Sequence, residues 1–156
     1  MQKIDLNQVQ AYLDNCSRDS KIYIGADSER INIDGIWWVD YMTCLIVHID
    51  SKHGGKIFAS IVRERDYDQK VNKPKMRLMT EAYKAAELYL DVADMIEDFP
   101  CEIHLDLNPL EIHASNCALS EAMGYIKGMC GIDPVVKPAS WAASNVADAV
   151  KRLTSK

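Results

Sequence analysis

No apolar run in this chain approaches the roughly 20 residues that a membrane-crossing helix needs, and its first residues, Met1-Gln-Lys-Ile-Asp-Leu6, lack an apolar signal core. These absences argue against a membrane or secreted protein and lead to the expectation of a cytoplasmic one. There is no CxxC pair, and the five cysteines (16, 44, 101, 117 and 130) are odd in number, which argues against a disulfide scaffold and for a reduced chain. A Walker A loop and a GxSxG elbow are both missing, which removes the nucleotide-cradling and serine-hydrolase motifs. Repeats, low-complexity tracts and linker-like stretches are missing too. The 156 residues are therefore read as one domain, 1–156, long enough to bury a core without staples. Positive charge is also lacking: a net charge of −5 argues against a protein that coats nucleic acid by charge alone. What remains is an ordinary globular composition, 48% apolar and 26% charged.

The patterning predicts an α/β chain. Residues 6–18 carry Val9, Tyr12 and Leu13 at helical spacing. Residues 21–27 form an apolar strand, Asp34-Gly35 a turn, and 36–49 a second strand rich in aromatic and β-branched residues. His53-Gly-Gly55 makes another turn before a third strand, 56–62, so the first three strands read as an antiparallel meander. The period then changes. Leu78, Ala82, Ala85, Tyr89, Val92 and Ile96 recur every three or four residues, a buried helix stripe. A fourth strand (101–107), a helix (115–127), a short fifth strand (Asp133–Pro138) and a closing helix from Ser140 complete the order. Hairpins first and crossovers later predict a mixed five-stranded sheet, the meander plus parallel strands, with helices on both faces.

Four acids fall at telling places. Asp27 ends the first strand, and Asp106 lies on the polar face of the fourth with Glu102 and His104. Both are expected at C-terminal strand ends, where α/β sheets place ligands. Glu81 borders the apolar stripe of the long helix, and Asp148 shares a face of the closing helix with Trp141, Asn145 and Arg152. Carboxylates gathered in one pocket need a counter-cation, so such a cluster points to divalent metal. Residues 63–77 hold six cations against three acids, a local +3 within an acidic chain, and are read either as a basic, mobile loop beside that pocket or as a solvated connector. Arg77, Lys75 and Lys73 are its candidate substrate contacts.

These stretches resemble the RNase H-like superfamily, and more narrowly its bacterial and phage YkuK-type family. The resemblance rests on Ile24-Gly-Ala-Asp-Ser28, Arg77-Leu-Met-Thr-Glu81, His104-Leu-Asp106, Ser115-Asn116, Gly124-Tyr-Ile-Lys-Gly128 and the long block Lys137-Pro-Ala-Ser-Trp-Ala-Ala-Ser-Asn-Val-Ala-Asp148. It covers nearly the whole chain, with one departure: Asp27-Ser28-Glu29 stands where Asp-Ser-Gln is expected. The resemblance implies an RNase H fold and a carboxylate site of Asp27, Glu81, Asp106 and Asp148 holding two Mg²⁺ or Mn²⁺ ions. It also implies hydrolysis of RNA, DNA or RNA–DNA hybrid, with the ions ~3.5–4 Å apart. Ser28, His104, Asn145 and Lys137 are auxiliary candidates. His104 reads equally as a satisfied strand histidine, and Lys137 as a surface lysine before a proline.

Other readings compete. Asp27-Ser28-Glu29 matches the opening of DEDD-type exonucleases, but the Tyr or His those enzymes place before their last Asp is replaced here by Ser144 and Ala143. Asn145 and Asp148, at i and i+3, are similar to the closing-helix pair of RuvC-like junction resolvases. A zinc site of Cys101-x-x-His104 and His113-x-x-x-Cys117 has ligand-like spacing, but residues 101 and 104 of a regular strand point to opposite faces. A non-catalytic RNase H-fold module that binds nucleic acid or protein is kept open by Trp37-Trp38, of which one is expected in the core and the other exposed to stack or anchor. Oligomeric state is not legible.

Overall fold

The computed structural model describes residues 2–49, 55–67, 75–107, 119–137, 139–143, 146 and 150, the side chain of Lys75 excepted. Seven elements run in the order α1 (Leu6–Asn15), β1 (Lys21–Ile33), β2 (Ile36–His48), β3 (Gly55–Arg65), α2 (Lys75–Val92), β4 (Cys101–Leu105) and α3 (Leu119–Cys130). Among the described residues the sheet has four strands in the order β3-β2-β1-β4. The first three form the expected antiparallel meander, and β4 joins β1 in parallel from Ile22↔Cys101 to Ala26↔Leu105. The parallel pairing follows from the crossover through α2, which returns the chain to the same end of the sheet.

The fifth strand predicted at 133–138 is corrected to a single parallel bridge, His104↔Val135. Val135 exchanges two backbone hydrogen bonds with Ile103 and Leu105 (2.8 and 2.9 Å), and Lys137 N–H donates to Leu107 O at 2.9 Å. Pro134 and Pro138 flank this stretch and carry no N–H, so a regular ladder cannot extend through them.

Alternation along β1 separates two cores. Ile22, Ile24 and Ala26 face one side with Leu45, Phe58, Ile103 and Leu105, covered by Val9 and Leu13 of α1, Ala82, Ala85 and Val92 of α2, and Ile126 of α3. Met42, Cys44, Ile46 and Ala59 face the other, under Ala142, Val146 and Val150. Helical residues therefore lie on both faces, as expected.

β1 is longer than predicted. It continues from Asp27 through Ile33 and turns at Asp34 and Gly35, whose positive φ angles of 52° and 83° fit a tight type I′ hairpin. Among the described residues this distal half pairs only with β2, its residues are half-buried or exposed, and neither Trp37 nor Trp38 enters the core. Trp37 is 44% exposed and Trp38 half-buried. Arg30 lies over the Trp37 ring at 4.6 Å and Arg65 over that of Trp38 at 5.9 Å.

Candidate active site

The parallel pairing of β1 and β4 ends at Ala26↔Leu105, so Asp27 and Asp106 are each the next residue beyond the last pair. Asp27 is thus a mid-strand residue of β1, and Asp106 directly follows β4. What puts them at one place is where β4 stops pairing. They lie on the face of the sheet occupied by residues 141–143. Ser28, one residue on, points to the opposite face, where α2 crosses. Glu81 is 3% exposed there, and the Ser28 hydroxyl donates a short hydrogen bond to its Oε1. Arg77, one helical turn before Glu81, donates from Nη1 to Ser28 Oγ at 3.0 Å and approaches Ser28 O at 3.5 Å. Strand and helix are thereby joined through Arg77, Ser28 and Glu81.

Electrostatics mark the pocket as under-neutralised. Asp27 is pushed up to about 6, by burial first. The Ser28 N–H, donating to Asp27 Oδ1 at 2.8 Å, opposes this, Asp106 adds to it, and Arg77 and Lys137 offset part of it. Glu81 is raised well above the usual carboxylate range. Burial is again the largest cause, with Asp27 and Asp106 adding to it and the Ser28 hydroxyl and Arg77 opposing. Lys137 Nζ lies 2.8 Å from Asp106 Oδ1, yet without the alignment of a hydrogen bond, so that buried oxygen has a charge beside it and no donor.

His104 is engaged elsewhere. Its Nδ1 accepts a hydrogen bond from Ala142 N–H at 3.1 Å, and its ring packs edge-on against Tyr23 and Trp141. It is 1% exposed, and burial lowers its basicity, so it is neutral near pH 7. Nε2, 3.6 Å from Glu102 Oε2, is beyond hydrogen-bond range. The histidine thus ties β4 to the start of the closing helix. Gly25 does the same by being small: a Cβ there would lie 2.7 Å from the Ala142 carbonyl and 2.9 Å from Ala143 N. A glycine inside a strand is the sequence signal for such a close approach. The Arg77–Ser28–Glu81 link adds a positioning role to Arg77, which the sequence offers as a candidate substrate contact.

Of the predicted site residues, Asp27, Ser28, Arg77, Glu81, Asp106 and Lys137 therefore come together. Lys75 opens α2. Lys73, Asn145 and Asp148 lie outside the described residues, as do His113 and Cys117 of the zinc reading. Of the other cations in 63–77, Arg63 and Arg65 belong to β3 and not to a loop.

Do these residues suit a divalent cation? Their donors are hard carboxylate oxygens, one of them buried without a donor, which suits Mg²⁺ or Mn²⁺. As placed, no group of three or more His, Cys, Asp or Glu side chains among the described residues is arranged to hold an ion. Mg²⁺ commonly takes only one or two carboxylates and keeps several waters, so the donor set still fits. Among the described residues no helix is long and apolar enough to cross a membrane. A family model described as Ribonuclease H-like matches residues 6–152. No curated protein and no solved structure matches the chain.

Proposed function

From the premise that this chain belongs to the Ribonuclease H-like family, we propose that it is a nuclease that hydrolyses phosphodiester bonds in RNA, DNA or their hybrid with Mg²⁺ or Mn²⁺. The observation that carries this reading is that Asp27, Glu81 and Asp106 lie close enough to raise one another's proton affinity, while burial pushes Asp27 up to about 6 and Glu81 well above the usual carboxylate range. A fold that held these acids for stability alone would give each a dedicated partner.

Asp27 and Asp106 would hold the ions, with Glu81 behind them and Asp148 as a further ligand. Divalent ions in such a site lower the pKa of a water and stabilise charge on the leaving oxygen. The chain's own residues prepare for this. Ser28 fixes the Glu81 carboxyl by hydrogen bond, Arg77 fixes Ser28, and the Ser28 N–H orients Asp27. The test is incubation of labelled single-stranded RNA, single-stranded DNA and hybrid with Mn²⁺, Mg²⁺ or EDTA, beside Asp27→Asn. Metal-dependent cleavage that the variant lacks supports the proposal, and absence of cleavage by the folded wild type refutes it.

One observation favours a second reading. Trp37 is exposed on a hairpin that reaches past β4, with Arg30 stacked on its ring. A non-catalytic nucleic-acid-binding module would use such a surface to stack bases. It would lose oligonucleotide binding in Trp37→Ala and keep it in Asp27→Asn.

A further inference from the structure

We infer that Lys137 is a tethered counter-cation that competes with divalent metal for Asp106, an inference that rests on the metal-dependent reading above. The backbone anchors it: Lys137 N–H donates to Leu107 O at 2.9 Å, which holds the residue beside the one after Asp106. From there its ammonium reaches 2.8 Å from Asp106 Oδ1, and its charge also offsets part of the burial penalty on Asp27. One amino group thus serves the two strand-borne carboxylates that an ion would need.

The two basic residues of the pocket differ in kind. Arg77 is locked, with Nη1 on the Ser28 hydroxyl and directed at the Ser28 carbonyl. Lys137 is not locked at Asp106 in this way. Its contact there has the distance of an ion pair but not the alignment of a hydrogen bond, and its side chain is 43% exposed against 27% for Asp106. An ammonium on a flexible stem, already open to water, regains hydration easily when it leaves. A divalent ion approaching Asp106 meets that positive charge first, and the two cations repel. Each therefore weakens the other's hold on the carboxylate by the same factor. In the metal-free protein the Lys137 ammonium stands against Asp106, and metal binding must displace it.

The test is calorimetric titration of Mn²⁺ into the wild type, Lys137→Gln, Lys137→Arg and Asp106→Asn, with thermal melts of each protein in EDTA. Lys137→Gln should bind Mn²⁺ about 10-fold more tightly than wild type, within the usual span of such couplings. Its melting point in EDTA should fall, because Asp106 has lost its cation. Lys137→Arg, which keeps the charge, should stay near the wild type, and Asp106→Asn should lose most of the binding. If wild type binds Mn²⁺ but Lys137→Gln binds it equally or less well, the competition is overturned while the metal site stands. Tight binding by Lys137→Gln with Asp106→Asn still binding normally would also overturn it, since the ion would then not sit on Asp106. If neither wild type nor Lys137→Gln binds Mn²⁺, the metal-dependent reading falls and takes this inference with it.

Discussion

Two buried acidic sites lie within a few residues of each other on the same sheet, and they are treated oppositely. Asp40 on β2 is 6% exposed and receives both arms of one arginine: Arg63 Nε on Oδ1 at 2.6 Å and Nη2 on Oδ2 at 2.8 Å. That is a planar fork matched to a carboxylate, and it holds two strands together. Asp27, Glu81 and Asp106 share Arg77 and Lys137, and neither cation makes a bidentate pair with any of them. Arg77 bonds Ser28 through Nη1 while its buried Nε has no partner among the described residues, and the hydrogen bond that Glu81 receives comes from a hydroxyl. Asp40 is a solved electrostatic problem. The pocket is one left open, which is what a site awaiting an external cation requires.

The largest effect that would sharpen this contrast is on turnover. Asp106→Asn or Asp27→Asn should lower metal-dependent cleavage by at least about 10³-fold, read in single-turnover assays. Asp40→Asn should leave cleavage by the folded protein within a few fold. Next comes stability in the opposite sense. Asp40→Ala should destabilise the protein by about 2 kcal/mol in urea unfolding, because a charge-assisted, bidentate pair is lost.

Asp27→Asn should instead stabilise the metal-free protein at alkaline pH, by up to about 2 kcal/mol. The sign follows from linkage. The folded carboxyl titrates at about 6 against 3.8 ordinarily, so as pH rises the unfolded chain releases its proton first. The folded state loses stability across that window and remains penalised above it, and the asparagine escapes the loss. Urea unfolding as a function of pH should show the advantage vanish below about 4. The smallest effect is Ser28→Ala, which removes Glu81's hydroxyl donor and should cost ~1 kcal/mol. A Ser28→Ala cost as large as that of Asp40→Ala would break the comparison, since the pocket would then be as tightly paired as the arginine site.

The meander, the long helix and the fourth strand were legible because strand-like and 3.6-residue apolar patterns are written directly into residues 21–62, 78–96 and 101–107. Two features were not. β1 continues past Asp27 through Ser28-Glu-Arg-Ile-Asn-Ile33, half-buried to exposed residues in which the one-sided apolar pattern that signals a strand is lost. For the same reason the expectation that one of Trp37 and Trp38 enters the core fails: Trp37 is exposed and Trp38 half-buried. The short stretch at 133–137 has strand-like valines, but its prolines limit it to one bridge.

At the site, element type and strand alternation were enough to propose Asp27 and Asp106 as neighbours, because a parallel register carries both to one edge. The link from Arg77 through Ser28 to Glu81 needed the crossing of α2 over β1, a tertiary fact with no local signature. Gly25 was readable in principle, since a glycine inside an apolar strand marks something packed against the backbone, here Ala142.

The central claim is that the pocket acids, unlike Asp40, await a divalent cation. The most direct test is the Mn²⁺-dependent shift in melting temperature of wild type, Asp27→Asn and Asp40→Asn against EDTA controls. The account predicts a rise in wild type, little or none in Asp27→Asn, and a wild-type-sized rise in Asp40→Asn on its lower baseline. Equal shifts in wild type and Asp27→Asn, or none in wild type, would contradict it.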